Sequence, residues 1–229
     1  MFFYDPTFLL LIPALILAFW AQIKVSSAFS QYSRIRASVG LTGSQLAMRL
    51  LEIAGIYNVR VEAMPGHLTD HYDPRNKVVR LSSSTYANQS VAALGVVAHE
   101  IGHAIQDAQR HPLLVFRTIL APVASLGSSL AWILFIMGII FALPGLWQFG
   151  IVLFSLAVLF SLVTLPVEYD ASKKALKLLR ENLLMDEEEL KGAKKVLSAA
   201  ALTYVAATAT AVLQLLRMLL IAGAFGRRD

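Results

Sequence analysis

The chain has no cysteine among its 229 residues. That absence excludes a disulfide framework and any thiolate metal site, so a bound metal ion would have to be held by His, Asp or Glu. Charge is scarce as well. Asp, Glu, Lys and Arg make up 15% of the chain, against about a quarter of an ordinary soluble domain. Hydrophobic residues reach 57% and the mean hydropathy is +0.62, which points to an integral membrane protein with a modest polar part. Histidine occurs only five times. The net charge of +5 does not call for a nucleic-acid partner, and none is expected; the basic residues are better explained by membrane topology.

Uncharged runs mark the expected spans. Pro6 to Ile23 carries no charge and is just long enough to cross a bilayer core, which takes about 20 residues. A cleaved signal peptide is disfavoured, because a basic leader is missing and Asp5 stands there instead. No charged residue occurs between Arg117 and Glu168, which is room for two spans, read as 118–143 and 146–167 with a turn at Pro144-Gly145. A fourth uncharged stretch, 196–216, is rich in Ala and Thr, and its small residues suit close helix packing within a membrane. The chain is thus read as one mainly α membrane domain, 1–229, with about four transmembrane helices.

Lys and Arg set the orientation. None precedes the first span, ten lie in 24–117 and seven in 168–195. Both polar segments are therefore expected in the cytoplasm. Four spans then leave Arg227-Arg228 outside, against the same rule. Within 24–117, Thr42-Gly43-Ser44 reads as a helix start, with Leu46, Ala47, Leu50, Leu51 and Ala54 on one face and Gly55 as its stop. Residues 57–62 and 77–82 read as two strands of a small hairpin. A further helix is expected over 90–109. In 168–195, Asp186 and Glu189 have the spacing of a capping box.

The 90–109 helix carries the chemistry. His99-Glu100-Ile101-Gly102-His103 is an H-E-x-x-H pattern. Residues four apart share a helix face, so both imidazoles can ligate one metal ion, and Glu100 can act as general base. A catalytic zinc needs a third protein ligand. The metzincin arrangement is excluded, because Gln106 and Gln109 stand where it requires Gly and His. Asp107 and His111 are near in sequence but poorly placed. Glu168 is the favoured third ligand: it is the first charge after the second of the paired spans, and a helical hairpin would return it to the membrane face from which 90–109 enters. The plain alternative is a solvated interfacial Glu.

With these residues in place, the chain resembles the YugP-like family of neutral zinc metallopeptidases, bacterial membrane proteins. The likeness covers nearly the whole length and is carried by Leu41–Gly43, Pro65–Pro74, Ala98–Gln106 and Leu165–Ser172. It implies a gluzincin-type site with one zinc ion on His99, His103 and Glu168, Glu100 as base, and a small α+β zincin-like cytoplasmic part. Related membrane metalloproteases often carry Asp four residues after the ligand Glu. Here that position is Ser172, and Asp170 is the nearby carboxylate; either would orient a ligand imidazole. His71, or Tyr72, would assist by hydrogen-bonding the oxyanion. A plain loop histidine paired with Asp70 or Asp73 is the alternative for His71.

The expected activity is zinc-dependent endopeptidase action, at the cytoplasmic face of the bacterial inner membrane, on peptides or membrane-associated proteins. The substrate strand is expected to pair along the edge offered by Lys77 to Ser82. Two rivals stand beside it: a scaffold or assembly factor with structural zinc, and a site-2-type intramembrane protease.

Overall fold

The computed structural model describes residues 6–225. Asp5 and the Arg227-Arg228 tail lie outside the described residues. The chain is mostly helical, with one small sheet. A 3-10 stretch, Pro6–Leu11, leads into α1 (Ile12–Tyr32). Then follow α2 (Gly43–Ile53), β1 (Arg60–Met64), β2 (His71–Asp73), β3 (Val78–Ser82), α3 (Val91–Ala108), α4 (Pro112–Ile140), α5 (Pro144–Glu181) and α6 (Glu187–Phe225). Four of these helical stretches are long and apolar enough to cross a membrane: Pro6–Tyr32 and the helices opening at Pro112, Pro144 and Glu187. The motif helix α3 is not among them.

These helices differ from the uncharged runs that announced them. α1 continues past Ile23 to Tyr32, α5 past Val167 to Glu181, and α6 begins well before Val196. Charge marks where a helix stops tolerating lipid, not where it stops being a helix. The polar extension of α5 is mostly Ala, Lys, Leu, Glu and Arg, all strong helix formers. It ends where Leu183 takes a positive φ of 53°. The turn between α4 and α5 falls at 141–143, with Ala142 at φ 51°. Pro144 then opens α5, where its missing N–H costs nothing.

The fold has two compact units. The first comprises Met1–Ala21, Val115–Leu165 and Thr203–Asp229. Its interior is a small cluster around Phe135, Met218 and Ala222. Its large apolar side chains point outward: Phe19 is 71% exposed and Leu126 76%. That is the inverse of a water-soluble helix bundle and suits a lipid environment. Arg217, the one charge in the apolar part of α6, stacks its guanidinium over Phe8 and Trp132 at 5.7 and 5.6 Å and donates to the Thr7 hydroxyl.

The second unit, Gln22–Leu114 and Pro166–Leu202, holds the main core. Leu46 and Leu50 of α2, Val79 and Leu81 of β3, Leu94, Val97 and Ile101 of α3, and Leu179 of α5 are fully buried in it. Each such side chain contributes about 1.5–3 kcal/mol. The expected start of α2 is present as a full capping box between Thr42 and Gln45. Its end is the expected glycine: Gly55 has φ +69°, and the amides of Gly55 and Ile56 donate to the carbonyls of Glu52 and Leu51, closing a Schellman motif. Asp186 and Glu189 also form their capping box, each side chain accepting the other's amide at 2.8 and 2.9 Å. Glu189 reaches further, accepting from both the amide and the hydroxyl of Ser38.

The sheet corrects two expectations. The strands do not form a hairpin. β1 and β3 run parallel, Arg60 opposite Val78 and Met64 opposite Ser82, and β2 lies antiparallel on the other side of β3. The order is β1-β3-β2. The segment between β1 and β3 must cross over to make them parallel, and it supplies β2 on its way. β3 is therefore central and paired on both sides. It cannot offer the Lys77–Ser82 edge to a substrate; the strand nearest α3 in hydrogen bonding is β2.

Candidate metal centre

α3 supplies the first three polar groups. Ser90 caps its N-terminus, its hydroxyl accepting from the Ala93 amide. On the buried face, His99 and His103 fall one turn apart, with ring centroids 4.7 Å apart and planes nearly perpendicular. Their Nε2 atoms are 3.2 Å apart. α5 brings Glu168, only 2% exposed, with Oε2 at 3.1 Å from His99 Nε2 and 3.5 Å from His103 Nε2. The helices can come this close because residue 102 is glycine: a Cβ there would lie 2.5 Å from the Ala171 carbonyl oxygen.

The three atoms pass a simple test of fit. Zinc sits about 2.0–2.1 Å from imidazole nitrogen and carboxylate oxygen, so two tetrahedral ligand atoms stand about 3.3 Å apart. The three separations here, 3.2, 3.1 and 3.5 Å, bracket that value. Two imidazole lone pairs and a carboxylate facing one point form a donor set that a cation completes. His99, His103 and Glu168 could thus hold one metal ion. Among the described residues, no fourth His, Asp or Glu joins this group.

The far side of each imidazole is engaged. His99 Nδ1 lies 3.1 Å from Ser172 Oγ, so Ser172 takes the supporting place beside this imidazole. His103 Nδ1 lies 2.9 Å from Gln106 Oε1, and Gln106 in turn donates to Asp170 Oδ2 at 2.8 Å. Ser172 and Asp170 therefore both belong to the support, one directly and one through an amide. Gln106 was not singled out from sequence for this role. Its position three residues after His103, on the same helix face, is the signal that could have found it.

Glu100 is 7% exposed. One carboxylate oxygen, Oε2, accepts the backbone N–H of Tyr72 at 2.8 Å, so strand β2 fixes where this carboxylate points. Burial pushes its carboxyl up to about 7; the proximity of His99 opposes this, and Glu168 and Asp70 add to it. A cation at the three-atom point would draw it back down.

The remaining candidates are placed elsewhere. Tyr72 turns its side chain inward, and its hydroxyl donates to Asp107 at 2.5 Å. Asp107 also receives Lys77 and is not part of the metal group. His71 is not brought together with His99, His103 and Glu168. Its Nδ1 contacts the Thr69 carbonyl at 3.0 Å, and its Nε2 lies 3.4 Å from the Arg80 guanidinium. His67 stacks edge-on to Phe29. His111 sits between α3 and α4, with Nε2 4.0 Å from Asp170.

No solved structure matches the chain. The chain is 47% identical over 212 residues to a Bacillus subtilis (strain 168) protein named "Putative membrane protease YugP", covering 93% of this chain and 94% of that protein. Residues 7–223 match the family described as "Putative neutral zinc metallopeptidase". With a membrane protease as its relative and a match that spans almost every described residue, the chain belongs to this family of neutral zinc metallopeptidases.

Proposed function

We propose that this protein is a zinc-dependent endopeptidase of the bacterial cytoplasmic membrane, cleaving membrane-associated proteins or their tails at the cytoplasmic face. The observation that carries the reading is the meeting of His99, His103 and Glu168 beside a buried Glu100. His99 Nε2, His103 Nε2 and Glu168 would hold one zinc ion. Zinc so bound would supply Lewis acidity, polarising the scissile carbonyl and lowering the pKa of water to about 7.

The chain's own residues do the rest. Glu100 takes a proton from the attacking water and delivers it to the leaving amide nitrogen. The Tyr72 amide keeps that carboxylate aimed while it does so. Ser172 and Gln106 hold the two imidazoles in orientation. A peptide would lie alongside β2 in extended form, since β3 is closed on both sides. His71 is assigned no step here; its ring contacts the Thr69 carbonyl and the Arg80 guanidinium.

Two features weigh against the rivals. A structural zinc site closes its fourth position with protein, whereas the group of described ligands stops at three. An intramembrane protease of the site-2 type carries its motif in a span, whereas α3 is not one of the four apolar candidates. The cytoplasmic placement rests on the Lys and Arg of 24–117 and 168–195. The test is Glu100→Gln in the full chain. Zinc content should be kept while proteolysis falls by about 10²–10⁴-fold; undiminished proteolysis with zinc retained contradicts the mechanism.

A further inference from the structure

Gln106 is fully buried, and its amide makes three hydrogen bonds. Nε2 donates to the Val167 carbonyl and to Asp170 Oδ2, each at 2.8 Å. A carbonyl and a carboxylate only accept, so the amide nitrogen must face them and Oε1 must face His103. Oε1 lies 2.9 Å from His103 Nδ1, and an amide oxygen cannot donate. His103 therefore carries its proton on Nδ1, which leaves the Nε2 lone pair facing His99 Nε2 and Glu168 Oε2. Val167 and Asp170 flank Glu168 on α5. One side chain thus sets the tautomer of one ligand and ties its helix to the turn that bears another. Asp170 is balanced by Lys174 at 2.6 Å, so the group that touches the imidazole is a neutral amide, backed by an ion pair.

We propose that Gln106 is the positioning residue of this centre, presenting His103 Nε2 to zinc and registering α3 on the Glu168 turn of α5. The proposal rests on the zinc-site reading above. Gln106→Leu keeps the volume but removes the acceptor, stranding the His103 N–H, and takes one donor from Asp170, which keeps its Lys174 partner. Gln106→Glu keeps an acceptor for His103, and in its protonated form it can still donate to Asp170.

The experiment uses the full chain in detergent or nanodiscs, with zinc affinity read by competition against a chromophoric chelator. The expected result is a dissociation constant about 10–100-fold weaker for Gln106→Leu, with Gln106→Glu lying closer to wild type. Wild-type affinity in Gln106→Leu overturns the proposal, and so does equal weakening in both variants, which would mark a packing role alone. A second readout needs no variant. In zinc-loaded wild type labelled with ¹⁵N-histidine, the His103 Nδ1–H should appear as a hydrogen-bonded proton slow to exchange with water; a freely exchanging proton overturns the proposal. Wild type that binds zinc no better than His103→Ala overturns the zinc reading itself, an outcome distinct from the others.

Discussion

Gly102 and Ala171 meet backbone to backbone: a Cβ on Gly102 would stand 2.5 Å from the Ala171 carbonyl oxygen. The contact lies between the two helices that carry the ligands, one residue before His103 and three after Glu168. Backbone cannot yield as a flexible side chain does. Gly102→Ala is therefore expected to force α3 and α5 apart, costing about 1–3 kcal/mol of stability and weakening zinc binding together with it. Thermal unfolding and zinc competition on the same sample check this; a variant with wild-type melting and affinity would show that the helices are free to separate.

Asp73 offers a pH test away from the metal group. Its side chain accepts from Asn76 Nδ2, from the amides of Arg75 and Asn76, and from the Arg80 guanidinium. The Asn76 side-chain bond leads the causes that hold its carboxyl well below the usual range, while partial burial opposes them. A carboxyl with a depressed folded pKa adds stability that is present above its unfolded value near 4 and is lost as pH falls through the folded value. Asp73→Asn should thus be less stable than wild type by about 1 kcal/mol at neutral pH, and the gap should close on acidification below pH 4. A gap independent of pH contradicts the assignment.

The missing cysteine makes topology readable. Tyr57 is 84% exposed and Leu183 90%, one in each polar segment of the chain. Single Tyr57→Cys and Leu183→Cys variants carry the only thiol in the protein. A membrane-impermeant maleimide should label both in inside-out vesicles and neither in right-side-out ones. Labelling in right-side-out vesicles would reverse the orientation drawn from Lys and Arg.

How much of this was legible depends on the physics behind each feature. The helix pairing of His99 and His103 follows from a four-residue spacing, and the caps at Thr42 and Asp186 from side chains that act on their own neighbours. Glu168 was reachable because the scarcity of charge makes a first charge after a long apolar run conspicuous. The parallel pairing of β1 with β3 was not reachable. β2 is only three residues long, too short to show an alternating pattern, and pairing direction is set by tertiary contacts. Nothing local marks Gly102, since its reason is a neighbour sixty-nine positions away, Ala171. Gln106 was hidden differently: an amide has no charge to stand out, and its spacing points to His103 but not to Val167 and Asp170.

The three-ligand centre is tested most directly by zinc per chain, measured with affinity, in wild type, His99→Ala and Glu168→Ala purified from the same membranes. One zinc per wild-type chain is expected, with loss of tight binding in both variants, because each removes one of three lone-pair donors around a single point. Full stoichiometry and unchanged affinity in Glu168→Ala would contradict the centre and leave Glu168 as a buried carboxylate without a metal.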